Sequence, residues 1–491
     1  MIPLFARIIA WLKGIMSRVL KTGDLQINAG VPLAISNSMA QAIQRWRDEY
    51  SGNAPWLSRN RQSLSLPALI SAEMATLVTL EAKIEIAGSP RADFISKQFE
   101  PVRKQLQKNV EYACAMGGIV MKPYIDNTGG IAVDYIQADD FFPVAFNSRG
   151  EITSAIFVER KRIMQTVYSR VEHHTIEGSK YTIVNKCFRG YSEDDPGTEV
   201  PLSEVPEWQQ LQPVVTMENI SFPLFAYFRI PLGNPIDPKS PLGVSVFAKA
   251  ENNIKEADRQ YQRLLWEYEG GELAIDASMD AFDLDKHGKP IVPVGKDRLW
   301  RVNYFDSKRS AGKDVLFSTF APALRDSSYI AGLNKILQKI EDQCGLARGT
   351  LSDRADVQTQ TATEIKMLRQ RTYATTTSIQ TALEDAIRAL INAMDATATL
   401  YNLTPPGDIE VSCVWDDSIV TDSDMERVRD MQEIRDGIMK KWEYRVKWYG
   451  EDEGTAKAMV ENEPSNDEIM GFVTTAQRNN GETGGNQNGK G

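Results

Sequence analysis

Histidine and cysteine are scarce in this chain, which has three histidines and four cysteines among 491 residues. The four cysteines lie far apart, and no two form a Cys-x-x-Cys pair, so neither a zinc site nor a disulfide framework is expected. Free thiols in a reducing compartment are the simplest interpretation. His173, His174 and His287 lie on segments predicted to be polar, without the spacing of metal ligands, and are expected at the surface. No metal or cofactor is therefore predicted.

Recognisable catalytic motifs are also missing. There is no Gly-x-Ser-x-Gly elbow, and no cysteine can be matched to a catalytic histidine. Residues 484–490 approach a phosphate-binding loop, but Gly491 stands where Ser or Thr is required. Asp139 and Asp140 could form a metal or acid–base site, yet no second acidic cluster supports one, so a solvated turn is favoured. We predict that the chain is not an enzyme, and an enzyme of unrecognised class is kept as an alternative.

Long uninterrupted apolar runs are lacking as well. Within residues 1–20, Arg7, Lys13 and Arg18 interrupt the apolar sequence, which fits neither a membrane span nor a signal peptide. The spacing predicts an amphipathic helix with its cations away from the apolar side. We expect this helix to pack against protein, and a membrane partner is not expected. A peripheral membrane scaffold anchored through these residues is the other alternative.

Basic residues do not predominate, because 56 Lys and Arg stand against 66 Asp and Glu, a net charge of −10. This balance argues against broad neutralisation of nucleic-acid phosphates, so any contact with DNA should be local. The hydrophobic and charged fractions, 42% and 25%, are ordinary for globular protein. The length predicts several structural modules.

The first half of the chain changes from helical to strand-like periodicity near Gly117. Residues 36–118 show helical spacing, with one helix expected at 91–115. Alternating and β-branched segments follow, separated by glycine-containing turns. These predicted strands are 119–125, 131–136, 152–160, 181–189 and 225–230. Residues 192–212 are expected to form an acidic surface excursion, and the fold class is predicted to be α+β.

A long amphipathic helix is predicted from Ser240 to Gly271. Ser240 would cap it, and Pro241 would occupy its first position. Its apolar stripe contains Phe247, Ile254, Tyr261, Leu264 and Tyr268. A β-rich insertion is expected next, with strand-like pieces at 272–276, 299–304 and 315–320. A second helix, ending at Gly345, would present Leu333, Leu337 and Ile340. Neither helix can bury its own stripe, so each requires a partner helix.

The remainder of the chain begins with a polar loop at residues 345–360. A capping box at residues 361–364 opens a helix predicted to run to about Asn402, bent near a cluster of threonines. A strand at 409–415 and a charged helix at 423–444 are expected after it. The tail is rich in glycine and asparagine and is expected to be disordered.

The order of these elements, together with several stretches of sequence, resembles the portal proteins of tailed bacteriophages. The stretches are residues 68–86 (ALISAEMATLVTLEAKIEI), 117–143, 241–271 and 320–368. The last is the most specific, with Pro322-Ala-Leu-Arg325, Gly345-Leu-Ala-Arg-Gly-Thr-Leu-Ser352 and Thr361-Ala-Thr-Glu-Ile365. The likeness covers roughly residues 35–460 and is closest to the branch from long-tailed phages of Gram-positive hosts.

The resemblance implies a ring, usually of twelve subunits, with wing, stem, clip and crown regions around an axial DNA channel. The implied regions, in chain order, are an N-terminal amphipathic segment (1–35), the wing (36–238), the stem helix (239–271), the clip (272–325), the second stem helix (326–344), the tunnel loop (345–360), a long bent helix with the return to the wing (361–420), the crown (421–463) and the tail (464–491).

The implied function is passage of the genome, packaged by a separate terminase motor and later ejected. The implied partners are other copies of the chain, double-stranded DNA, the terminase, the major capsid and scaffolding proteins and a head–tail adaptor. The implied location is the portal vertex of the virion, and the host cytoplasm during assembly.

The tunnel loop would carry the residues that meet DNA in the channel. They are Arg348, Ser352, Asp353, Arg354, Asp356 and Gln358. The two arginines beside the two aspartates would suit brief contact with phosphates, whereas a loop that is merely solvated is the alternative.

Overall fold

The structure, a computed structural model, describes residues 35–57, 62–80, 82–126, 128–191, 197–271, 274–278, 283–289, 291, 299–303, 317–320, 323–353, 362–415 and 423–461. The segments expected at 1–34 and 464–491 lie outside the described residues. The chain divides into two units, one ending at Asp416 and the other beginning at Asp417, and each is described by itself.

The described part of the first unit opens with helices α1 (Asn37–Tyr50), α2 (Leu66–Thr79) and α3 (Pro90–Met116). The Ser36 and Ser89 side chains cap α1 and α3 by accepting backbone N–H groups of their first turns. Helix α3 ends at Gly117, whose φ of +90° favours glycine. This helix confirms the one predicted at 91–115.

Four sheets lie within the described part of this unit, and three of them are outside the β-rich insertion. Strands β2 (Gly118–Ile125), β3 (Ile131–Gln137) and β10 (Ala226–Arg229) form an antiparallel sheet ordered β10-β2-β3. A larger antiparallel sheet contains β4 (Phe141–Phe146), β5 (Ile152–Ile163), β6 (Thr166–Glu177), β7 (Lys180–Gly190) and β8 (Thr198–Val200), with β9 (Val214–Glu218) also paired to β7. Strand β1 (Ala82–Ala87) pairs with the distant β14 (Glu410–Trp415). The predicted α+β class is confirmed.

The main core lies between α1, α2, α3, the β10-β2-β3 sheet and α6 (Ala362–Leu400). Arg91 is completely buried within it. Its guanidinium donates to Oδ1 of Asp395 at 2.7 Å and to the carbonyls of Asp395 and Thr404 at 2.8 and 2.5 Å. These bonds satisfy a buried charge and tie the start of α3 to the end of α6.

Helix α4 spans Glu251–Gly270, so the start predicted at Ser240 is wrong. The chain after Ser240 first crosses the end of α3. A Cβ on Gly243 would lie 2.1 Å from the carbonyl oxygen of Gly117, so the two backbones can approach only because both residues are glycine. This tertiary contact outweighs the local capping signal.

Phe247 consequently precedes α4 and does not belong to its apolar stripe, which corrects the sequence prediction. The backbone N–H of Val246 donates to the Cys114 carbonyl at 2.9 Å, and that of Ala250 donates to the Phe247 carbonyl at 2.8 Å. Phe247 is completely buried in the main core. It anchors the turn before the helix.

The β-rich insertion separates α4 from α5 (Asp326–Cys344). Strand β11 (Ala274–Ser278) is central, parallel to β12 (Leu299–Asn303) and antiparallel to β13 (Phe317–Phe320). These strands confirm the three strand-like pieces predicted there.

Residues 192–212 were expected to form only a surface excursion, but their described part has a core of its own. Leu202, Val205 and Trp208 are buried together with Cys187 of β7. The cluster packs this segment onto the edge of the larger sheet.

The described part of the second unit contains α7 (Ser423–Arg435), α8 (Lys441–Tyr449) and α9 (Glu453–Glu461). The single helix predicted at 423–444 is therefore wrong. The chain turns at Gly437, whose φ is +72°, because a right-handed helix cannot continue through that conformation. Asp430 is buried and accepts from Lys447 Nζ at 2.6 Å and Trp448 Nε1 at 2.9 Å.

Candidate functional site

Helices α4 and α5 form an antiparallel pair that is tied at both ends. At one end Asn253 Nδ2 donates to Oε1 of Gln343 at 2.6 Å. At the other, Arg325 donates to Glu267 through Nε at 3.1 Å and through Nη2 at 2.7 Å. The hydrogen bonds from Arg325 hold the pKa of Glu267 below its usual value, and Glu267 in turn raises the pKa of Arg325.

The apolar residues predicted for this pair take different positions. Ile254 and Ile340 are fully buried, and Leu264 is nearly so. Leu333 and Leu337 are half-buried against the main core, and Tyr261 is half-buried on α4. Tyr268 instead faces solvent and is 42% exposed, beside Trp266 at 66%. The pair thus keeps two aromatic side chains uncovered near the end of α4.

The first half of α4 is anchored to α1 and to the segment between α1 and α2 by one buried and one half-buried acid. Asp258 is buried and accepts from Trp56 Nε1 at 2.9 Å, Ser63 Oγ at 3.0 Å and the backbone N–H of Leu64 at 2.9 Å. Glu251 accepts from Trp46 Nε1 at 2.5 Å. These bonds fix one face of the helix pair to the core.

The loop after α5 begins at Gly345, as predicted, with a φ of +75°. A Cβ at this position would lie 2.4 Å from Oγ1 of Thr375 on α6, so glycine serves both the backbone conformation and the close packing. The next residue, Leu346, is buried in the main core. The first residues of the loop are therefore held between α5 and α6.

Glu341, in the last turn of α5, organises the rest of the described loop. Its buried carboxylate accepts from the backbone N–H groups of Gly349 at 3.1 Å, Leu351 at 2.6 Å and Ser352 at 2.8 Å, and from Ser352 Oγ at 2.9 Å. The sequence analysis missed this residue. The one signal was an acid near the carboxyl end of a helix, where the helix dipole disfavours negative charge.

Arg348 lies on the same loop and is 52% exposed. Its Nη2 donates to Oδ2 of Asp342 at 2.8 Å, and Nη1 of Arg371 on α6 donates to Oδ1 of that carboxylate at 3.0 Å. The hydrogen bond from Arg348, with both positive charges, lowers the pKa of Asp342. Pairing of Arg348 with the loop aspartates was expected, but the structure pairs it with Asp342.

The remaining loop residues of the prediction are only partly placed. Ser352 is buried against Glu341, and the backbone N–H of Asp353 donates to Oδ1 of Asn334 at 2.8 Å. Arg354, Asp356 and Gln358 lie outside the described residues.

Of the histidines predicted to be at the surface, His174 is buried and His173 is half-buried. His174 is buried, with Nδ1 2.6 Å from Tyr181 Oη and Nε2 2.6 Å from Glu172 Oε1. Lys122 Nζ donates to the other oxygen of Glu172 at 2.6 Å. Burial opposes ionisation of Glu172, yet Lys122 and His174 hold its pKa well below the usual value. Burial lowers the pKa of the neighbouring His173 to about 4.

The turn that follows β3 also differs from prediction. Asp139 is buried and paired with Arg47, while Asp140 accepts from Nη1 of Arg160 at 2.7 Å. These residues form ion pairs in place of the solvated turn that was expected. Among the described residues, no group of three His, Cys, Asp or Glu side chains is placed to hold a metal ion.

A cavity of about 320 Å³ lies between β3, β5 and β6. Its lining includes Lys122, Arg170 and Glu172. Arg170 and Lys122 both pair with Glu172, at 3.2 and 2.6 Å, and Arg170 also pairs with Glu159 at 2.8 Å. The two acids therefore balance these two cations.

Comparison with known proteins identifies the family of this chain. None of the helices in the described ranges is both long and apolar enough to span a membrane. A search of curated proteins finds no match to this chain. A family described as phage portal protein, SPP1 Gp6-like, matches residues 34–444, which include the α4–α5 pair, the loop after it and α6. The chain belongs to this phage portal protein family.

Proposed function

We propose that this chain assembles into a closed ring, of twelve subunits by the family resemblance, which forms the DNA channel at one vertex of a phage head. The genome would be packaged through it by a separate terminase motor and later ejected, and a tail connector would attach to it. Membership of the portal family supports a place in the viral capsid. The branch from phages of Gram-positive hosts belongs to the proposal.

The observation that carries the proposal is the α4–α5 pair with its two exposed aromatic residues. Hydrogen bonds at both ends make the pair a stiff unit, and Trp266 and Tyr268 remain exposed on it. Exposed large aromatic residues are typical of protein contacts. A contact between different faces of neighbouring subunits closes a ring when its rotation closes.

The portal regions are assigned on this basis. The stem would be α4 with α5, the clip the sheet of β11, β12 and β13, and the tunnel loop residues 345–360. The wing would contain residues 36–238 together with α6 and β14, and the crown α7, α8 and α9. Terminase, major capsid protein, scaffolding protein and head–tail adaptor would meet the ring through these regions.

The loop's charges support weak contact with DNA. Arg348 and Arg371 share the carboxylate of Asp342, so only a partial excess of positive charge faces solvent there. A duplex that moves through a ring requires such weak contact. If every subunit fully neutralised the phosphates it meets, the attractions would add up around the ring and hold the DNA. No catalytic step is assigned to this chain, and ATP hydrolysis belongs to the terminase.

The proposal is tested by native mass measurement of the full-length protein, with electron microscopy along the particle axis. A ring of about a dozen subunits is expected. A compact monomer, even beside its capsid and scaffolding proteins, would contradict the proposal. A small oligomer would favour the enzyme alternative. Liposome flotation that disappears on deletion of residues 1–20 would favour the membrane scaffold.

A further inference from the structure

The buried carboxylate of Glu341 forms all its hydrogen bonds in the described chain with one short segment. Its donors are backbone or side-chain groups of Gly349, Leu351 and Ser352. We propose that Glu341 is the positioning residue of the tunnel loop, setting the path of the loop along α5. This inference rests on the proposed channel function.

The energetics make Glu341 and the loop conformation mutually dependent. A buried carboxylate without partners is strongly unfavourable, and the negative end of the α5 dipole adds to that cost. Four hydrogen bonds to Glu341 offset it. They also satisfy three backbone N–H groups that no regular secondary structure uses. If the loop left this path, Glu341 would lose every one of these donors at once.

The direction of the loop follows from the contacts on either side of Glu341. The chain leaves α5 at Gly345 and packs against Thr375. It then returns along α5 until the N–H of Asp353 reaches Asn334 at 2.8 Å. Asn334 lies ten residues before Cys344, the last residue of α5, which is about 15 Å along a helix. Glu341 lies between these two points, so its bonds determine the path.

The hydrogen bonds to Glu341 also place Arg348 beside its partner, Asp342. Arg348 immediately precedes Gly349, which is the first residue whose backbone N–H donates to Glu341. Its guanidinium reaches Asp342, the neighbour of Glu341 on α5. We expect Arg348 to contact DNA. Its position therefore depends on the Glu341 carboxylate, which is not itself expected to contact DNA.

The experiment compares full-length wild type with Glu341→Gln, which keeps the side chain's size but removes its charge. Asp342→Asn is the matched control, because Asp342 neighbours Glu341 yet its carboxylate bonds only the side chains of Arg348 in the described loop and Arg371 on α6. Hydrogen exchange is measured by mass spectrometry on assembled rings, in peptides covering residues 345–353. Glu341→Gln should speed exchange there at least about tenfold, since charged hydrogen bonds are the stronger kind, and Asp342→Asn should not.

The functional readout is the amount of DNA retained per assembled head. We expect Glu341→Gln to form rings in normal yield and to retain less DNA. Unchanged exchange in residues 345–353 would overturn the inference, and so would faster exchange with normal retention. Wild-type protein that forms no ring would instead contradict the proposed function. If Glu341→Gln fails to fold, Ser352→Ala is the second variant. It removes the Oγ that donates to Glu341 and accepts from the Gly349 N–H, and leaves the three backbone donors in place, so it should give a smaller change in the same direction.

Discussion

Arg325 and Glu267 join the two ends of the β-rich insertion. Both side-chain nitrogens Nε and Nη2 of Arg325 reach the Glu267 carboxylate, and the backbone N–H of Arg325 donates to it at 3.1 Å. Glu267 is in the last turn of α4, and Arg325 is the N-cap of α5. The chain thus leaves and re-enters the helix pair at one bidentate contact.

Loss of this contact should loosen the insertion more than the rest of the chain. Glu267→Gln is expected to raise hydrogen exchange in residues 272–324 while leaving the main core unchanged. Because the pKa of Glu267 is lowered in the folded state, its contribution is present above the unfolded pKa and is lost as pH falls through the folded value. The wild type should therefore approach the variant in acid.

Arg259→Ala is the control, since Arg259 pairs with Glu256 within α4 alone. Its exchange in residues 272–324 should match the wild type. Equal protection in wild type and Glu267→Gln at neutral pH would refute the role given to this pair.

The exposed Trp266 and Tyr268 predict a defect in assembly without a defect in folding. Replacing Trp266 or Tyr268 by alanine removes apolar area that the subunit alone leaves uncovered. A loss of about 1–3 kcal/mol per contact is expected, so rings should require about fivefold to about a hundredfold more protein. Mass photometry measures the ring fraction, circular dichroism checks the fold, and Glu269→Ala is the neighbouring exposed control. Normal ring formation by both alanine variants would place the contact elsewhere.

The sequence predicted helix ends correctly where a residue at the end itself determines the backbone conformation. The second helix ends at Cys344 because Gly345 adopts a left-handed conformation, and such a glycine can be recognised from sequence. The start of α4 could not be predicted, because contact between Gly243 and Gly117 decides it across more than a hundred residues.

In the candidate site, too, features set by local sequence could be predicted, and features set by tertiary contacts could not. Arg348 could be singled out as a cation on a polar loop. Its pairing with Asp342 and the hydrogen bonds of the loop to Glu341 could not be predicted, because both depend on the loop returning along α5. Buried His174 was missed for a related reason, since alternation on β6 does not reveal that Glu172 and Tyr181 form hydrogen bonds with it.

Glu49 on α1 predicts a pH dependence of stability. Burial, together with the negative charge of Glu251, raises the pKa of Glu49 to about 8, although Arg45 opposes the shift. The folded state therefore binds more protons than the unfolded state between about pH 4.5 and pH 8. The free energy of unfolding should fall as pH rises through this range.

Glu49→Gln should remove that dependence. The variant is expected to have a higher Tm than the wild type at pH 8 and a similar Tm at pH 5, measured by scanning fluorimetry. Glu73→Gln, at a half-buried position on α2, is the control and should follow the wild type. A difference in Tm that is the same at both pH values would contradict ionisation of Glu49 as the cause.

Arg348 separates the assembly of the ring from the handling of DNA. Half-exposed ion pairs contribute up to about 1 kcal/mol, so Arg348→Ala should leave ring assembly intact, and the same is expected for Arg354→Ala on the same loop. Packaging or retention of DNA should change, because the loop would lose a cation that phosphates can reach. Electron microscopy counts the rings, and DNA per filled head is measured by quantitative PCR after nuclease treatment. Lys335→Ala, an exposed cation on α5, is the control for a general loss of charge. Loss of rings with unchanged DNA per assembled head would show that Arg348 acts in assembly, since a channel residue should affect only the steps at which DNA is present.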